Sequence, residues 1–205
     1  MLKHDVMVKY YRRNLPHWIP DGKAIFLTWR LNGSLPRRLI DHLDVKIRLT
    51  DGKRFVLADQ ELDRARCGPL WLKDPRIATL VVSALLHGEC VLGFYALHAF
   101  VVMANHVHAL LTPKIELRRL TEGLKGATAR AANQILRRAQ KPFWQDESFD
   151  HWVRTSQEFA RIKHYIEQNP VAAGLVTNPE DWQWSSAYHR RVGAWSRVLT
   201  AELSG

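Results

Sequence analysis

Cysteine is scarce: Cys67 and Cys90 are the only two, and they form no CxxC pair. A disulfide framework and a zinc knuckle are therefore excluded as sources of stability. Long apolar runs are missing as well. The longest, Val91 to Ala104, is interrupted by His98 and is too short to span a bilayer. The N-terminal residues, with Lys3, His4, Asp5 and Lys9, carry no apolar signal segment. No internal repeat or low-complexity segment is visible. The expectation is a cytoplasmic protein without a membrane partner. Its 205 residues, 46% of them hydrophobic, suffice for one domain with one ordinary core.

Negative charge is also in short supply. Thirty Lys and Arg stand against twenty Asp and Glu, a formal +10. The arginines cluster as Arg12-Arg13, Arg37-Arg38, Arg118-Arg119, Arg137-Arg138 and Arg190-Arg191. Such an excess points to a polyanionic partner, because each neutralised phosphate releases counterions. Eight tryptophans among these cations suit stacking on unpaired bases, although most belong to a core.

The chain divides into an extended basic arm over 1–20, a folded domain over 21–178 and a tail over 179–205. In the arm, Tyr10-Tyr11-Arg12-Arg13 precedes Pro16 and Pro20, which argue against a long helix. Ala24 to Leu31 reads as a first strand. Asp51-Gly52 reads as a turn, and Phe55 to Ala65 as a short amphipathic helix. Asp74-Pro75 is a cap followed by proline at the first helical position, and Gly88 is read as the stop of that helix. Val91 to Met103 and His106 to Leu111 form a hairpin, Ile115 to Ala139 a long basic helix, and Phe149 to Arg154 a fourth strand. A last helix begins after Thr155 or Ser156 and should stop at Asn169, since Pro170 disfavours α geometry before it. The predicted class is α+β, a four-stranded antiparallel sheet with helices packed on one face.

His106-Val107-His108 is the most informative triplet. Strand side chains alternate, so both imidazoles project from one face, and neutral imidazole ligates divalent transition metals. Tyr165 and Asn169 are four apart and share a helix face. A phenol and an amide oxygen could thus be presented to two imidazoles, leaving positions open for a phosphate oxygen. A plainer reading stays open: Tyr165 as a half-buried tyrosine and Asn169 as a helix cap.

NHVHALL after an apolar strand, then FWQDESFDHWVR, then HYIEQNPVAAGLV, resemble in order and spacing the REP-associated tyrosine transposases, a branch of the single-tyrosine HUH transposases. The opening YYRRNLPHW and AIFLTWRLNGSLP resemble the start of such proteins. The resemblance implies a ferredoxin-like or RRM-like HUH endonuclease domain, with Tyr165 as nucleophile and His106, His108 and Asn169 as ligands of Mg2+ or Mn2+. It also implies nicking and rejoining of single-stranded hairpin DNA through a 5′-phosphotyrosine, by a monomer or a homodimer. Tyr10, Tyr11, Arg12 and Arg13 would then read the foot of the hairpin. By charge alone, Lys125, Arg130 and Arg154 are candidates to line a phosphate groove, and each is equally well read as a solvated surface charge. Residues 37–70 match nothing in that pattern. Two rival readings are a DNA-binding protein of the same fold without turnover, and an HUH replication initiator. Initiators of the relaxase kind usually place the tyrosine before the histidines, the reverse of the order here.

Overall fold

The computed structural model describes residues 22–40, 51–139 and 141–195. Four strands, β1 (Ile25–Arg30), β2 (Tyr95–Val102), β3 (His106–Pro113) and β4 (Phe149–Trp152), form one sheet in the order β2-β3-β1-β4. Every pairing is antiparallel, with Thr28 opposite His108 and Phe149. Among the helices are α1 (Asp51–Arg64), α2 (Pro75–Cys90), α3 (Leu117–Ile135), α4 (Ser156–Ala172) and α5 (Ser186–Arg191). The α+β class and the four-stranded antiparallel sheet are as the sequence led us to expect.

The helices cover both faces of the sheet, not one. Leu27, Trp29, Phe100, Val107 and Leu111 meet α2 and α3 on the first face. Phe26, Val101, Leu110 and Phe149 meet α4 and Phe55 of α1 on the second. Hydrophobic periodicity fixes which stripe of a helix is buried but not which side of the sheet it covers. Coverage on both sides explains why β1 is buried from Ile25 to Trp29 without polar alternation.

Local signals account for most helix starts. The Asp74 carboxylate accepts from the Arg76 amide at 3.0 Å with Pro75 behind it, and the Thr155 hydroxyl accepts from the Glu158 amide at 3.1 Å. Each satisfies one of the orphan amides of a first turn. Three local expectations fail. Asp51-Gly52 opens α1 and is not a turn. Gly88 lies inside α2, where a Cβ would come within 2.3 Å of the Tyr95 hydroxyl; the glycine makes room for that ring rather than stopping the helix. Finally α4 runs past Asn169 and through Pro170 to Ala172. Proline there removes only one amide donor, in the last turn, and the helix closes beyond it. The Leu175 amide reaches the Pro170 carbonyl at 2.9 Å, with Gly174 at φ +69°.

The described part of the tail packs against the sheet. The Val102 amide donates to the Trp184 carbonyl at 2.9 Å, and the Trp182 indole donates to the Val102 carbonyl at 3.0 Å.

Candidate active site

Val107 and Ala109 enter the first core, so alternation sends His106 and His108 to the second face. Both imidazoles are fully buried, and their Nε2 atoms lie 3.1 Å apart. The outer nitrogens are each held. His106 Nδ1 lies 2.8 Å from the Asn105 side-chain oxygen, and His108 Nδ1 lies 2.7 Å from the Thr28 hydroxyl. Burial, reinforced by the neighbouring His108, pushes His106 down to about 3. His106 is therefore neutral at physiological pH. An amide oxygen only accepts, so the single proton of His106 sits on Nδ1 and its Nε2 lone pair faces the centre. Thr28 can donate or accept, so it suits either tautomer of His108.

The centre is closed by a residue that the sequence reading missed. Asp59, on α1 and 4% exposed, brings Oδ1 to 3.2 Å from His108 Nε2 and 4.0 Å from His106 Nε2. Asp59, His106 and His108 together form a group able to hold a metal ion. Burial raises the Asp59 carboxyl, but the facing histidines, His108 above all, outweigh it and the net shift is downward. One turn later Asp63 places Oδ1 3.6 Å from His106 Nε2. Burial and the Asp59 charge push this second carboxyl up to about 7. The Asp59–Asp63 spacing on one helix face was available in the sequence. Inside a stretch without a family counterpart it looks like an ordinary solvated acidic face.

Tyr165 is brought to the same place. Its ring centroid is 5.7 Å from that of His108, and its hydroxyl donates to Asp59 Oδ2. Asn169 lies one turn further along α4, 2% exposed, with Oδ1 lacking a hydrogen-bond partner among the described residues. Ala173 caps the helix, so Asn169 is not its cap. Asp59 Oδ1 and Asp63 Oδ1 are likewise buried without a hydrogen-bond partner. Unpaired buried oxygens are costly, roughly 1–3 kcal/mol each, unless something binds them. The inward nitrogens of two imidazoles, with the orphaned Oδ1 atoms of Asp59 and Asp63 beside them, are a donor set suited to a divalent metal. Beside Asp59, Thr28, Arg30, Phe55, Glu147 and Phe149 border a cavity of about 40 Å³, room for a few waters but not a nucleoside.

The cations are more dispersed. Lys125 donates to the Asp146 carbonyl at 2.7 Å and the Ser148 hydroxyl at 3.2 Å, which makes it a strut under the loop entering β4. Arg130 is exposed on α3, which packs on the opposite face of the sheet from Tyr165. Arg154 is exposed just beyond β4, its guanidinium 5.2 Å from the Trp152 ring centroid. Tyr10, Tyr11, Arg12 and Arg13 lie outside the described residues.

Comparisons with known proteins agree with the resemblance read in the sequence. Residues 82–169 match the model of a family described as "Transposase IS200 like". A REP-associated tyrosine transposase of Escherichia coli (strain K12) is 28% identical over 103 residues, which cover 48% of this chain. That alignment spans 57% of the relative, little more than half its length. Among solved structures, a REP-associated tyrosine transposase bound to a REP hairpin aligns with a TM-score of 0.53 at 18% identity. The superposition covers 89% of this chain and 86% of that one, a likeness of fold. The matched segment 82–169 takes in His106, His108, Tyr165 and Asn169 but not Asp59.

Proposed function

We propose, from this kinship with REP-associated tyrosine transposases, that the protein is a transposase that nicks and rejoins single-stranded DNA at hairpins, with Tyr165 as nucleophile. One observation carries the reading: a tyrosine hydroxyl, two inward-facing imidazole nitrogens and a buried carboxylate converge from three separate elements. A structural tyrosine needs only one hydrogen-bond partner, and nothing in packing calls for two fully buried histidines beside it.

His106 and His108 would hold a divalent cation, Mg2+ or Mn2+, with Asp59 and Asn169 as oxygen donors. Bound there, such an ion supplies charge stabilisation for a phosphate and an orientation for it. The chain's own residues do the rest. Asn105 and Thr28 fix the imidazole planes, and hydrogen-bonded outer partners of this kind hold ligands in register. The Tyr165 oxygen attacks phosphorus, the bond to the 3′ oxygen breaks, and a 5′-phosphotyrosine and a free 3′-hydroxyl result. The covalent link conserves the phosphodiester, so a DNA hydroxyl can reverse the step without ATP. Tyr10 to Arg13, with Lys125, Arg130 and Arg154, would supply the cations for the DNA backbone. Of the last three, Arg154 is best placed, being exposed next to the start of the nucleophile's helix.

The decisive test is incubation with a single-stranded hairpin oligonucleotide and Mn2+, followed by a denaturing gel. Wild type should form a protein–DNA adduct and Tyr165→Phe none, while hairpin affinity stays nearly unchanged. An adduct of undiminished yield in Tyr165→Phe would remove the tyrosine from the mechanism. A wild type that binds the hairpin but never cleaves would favour a binding protein of the same fold.

A further inference from the structure

We propose that α1 belongs to the catalytic unit, and that Asp59 is the residue that registers the Tyr165 phenol against the cation held by His106 and His108. The inference rests on the reading above and concerns a segment outside both the residues that resemble the family and the residues its model matches.

The two carboxylate oxygens face two ways. Oδ1 points at the imidazole nitrogens, 3.2 Å from His108 Nε2, and Oδ2 accepts the hydrogen bond of the phenol. Oδ1 is buried and, among the described residues, faces only the imidazole nitrogens, so it is available to ligate. A single planar group thus sets the separation and angle between nucleophile and metal site.

The helix carrying it is fixed to that site independently. The Asn105 amide donates to the Leu62 carbonyl of α1 at 3.0 Å, while its oxygen accepts from His106 Nδ1 at 2.8 Å. Phe55 of α1 stacks on Phe149 of β4 with centroids 4.2 Å apart, and meets Phe26 edge-on at 5.3 Å. Asn105, fully buried in the β2–β3 turn, therefore ties the orientation of a ligand to the position of α1. The backbone that carries Asp59 is thus held in place, and shifting α1 would break these contacts. Holding a nucleophile in near-attack geometry is a large part of catalysis, and a displacement of about 1 Å can lower a rate by about 10²-fold.

Asp59→Ala, Asp59→Asn and Asp59→Glu in the full chain test this. Adduct formation in a single turnover on hairpin DNA is measured at saturating Mn2+, with Mn2+ affinity determined separately from the paramagnetic resonance of free ion. Asp59→Ala should slow adduct formation by about 10²-fold even when Mn2+ is saturating. Asp59→Asn, which keeps an acceptor oxygen for the phenol but loses the charge, should weaken Mn2+ binding more than it slows the saturated rate. Asp59→Glu, longer by one methylene, should do the reverse. A second readout needs no DNA. The protein has five tyrosines, so ζ-carbon-13 labelling in Mg2+ gives a short spectrum in which Tyr165→Phe identifies one resonance. Asp59→Ala should shift that resonance. If the Tyr165 signal stays in place in Asp59→Ala, or if that variant forms adduct at the wild-type rate, the proposal is overturned. Should Asp59→Ala fail to fold, Asp59→Asn and Asp59→Glu carry the same test through their opposite patterns, and equal patterns overturn it. A wild type that forms no adduct would sink the nuclease reading, while the resonance shift would still decide the Asp59 contact.

Discussion

On one face of the sheet Trp29, Phe100, Val107 and Leu111 meet α2 and α3 through apolar side chains. On the other, Phe26, Val101 and Leu110 share the surface with Thr28, His106 and His108, all buried. The same strands supply both sets, one residue out of phase: Val107 and Ala109 belong to the first face, His106 and His108 to the second. Burying polar groups is unfavourable unless they are paired. The second face meets that requirement with Asn105, Thr28 and Asp59, and among the described residues leaves Oδ1 of Asp59 and of Asp63 without a hydrogen-bond partner beside the imidazoles. A largely apolar face thus stabilises a sheet whose other face carries the buried polar cluster.

The comparison breaks most visibly when one face is damaged at a time. Phe100→Ala empties a fully buried site on the first face and should lower stability by about 3–5 kcal/mol in chemical denaturation. At low temperature, where it remains folded, its adduct formation should be near normal. His106→Ala should do the opposite, losing more than about 100-fold in Mn2+ affinity, since removing an outer-shell partner alone typically costs about 10–100-fold. If both variants lost stability and metal binding in the same proportion, the division between the faces would be wrong.

Asn169→Ala sharpens the second face. An amide oxygen is the weaker donor beside two imidazoles, so Mn2+ affinity should fall less than in His106→Ala, and excess Mn2+ should restore part of the activity. Mn2+ titration that gave identical affinity in Asn169→Ala and wild type would leave the residue with a packing role only.

An effect confined to high pH lies at the loop before β4. Burial presses Lys125 down to about 8, against the attraction of Asp146 and Glu147. An unfolded chain, with lysine near its ordinary value of 10.5, holds that proton to higher pH. Between about pH 8 and 10.5 the unfolded state binds more protons, so this residue's contribution to stability rises with pH there. Lys125→Met should lose that rise. Melting temperatures of the two proteins across the window measure it; parallel curves would mean that the ammonium is not buried in solution.

Several elements were legible in the sequence because their causes are local. Asp74-Pro75 and Thr155 cap helices through side chains beside their own amides, and His106-Val107-His108 puts two rings on one face through strand alternation alone. Tyr165 and Asn169 share a helix face for a similar reason. Other features depended on what lies across space. The Asn-Pro rule failed at position 169 because one lost amide in a final turn is tolerated when Gly174 can close the helix. Gly88 is small because Tyr95, seven residues on, needs the space. Asp59 was hidden because an acidic pair on an amphipathic helix gives no local sign of the docking that buries it. Only the fold brings α1 over the polar face, and there an acid that looks solvated is buried against two imidazoles.

The way Trp182 to Ser185 lies along β2 has a consequence for solubility. A sheet edge offers unpaired amides and carbonyls to any other strand, and free edges invite association between molecules. In this sheet β4, at one edge, has only four residues, which limits what can pair with it. At the other, eight-residue β2 has its end engaged by the Trp184 carbonyl, the Trp182 indole and a bridge between Val101 and Ser185. Residues 182–185 therefore act as a guard against edge-to-edge aggregation. A chain cut short before Trp182 would keep His106, His108 and Tyr165, yet would carry its longer edge strand with that end bare.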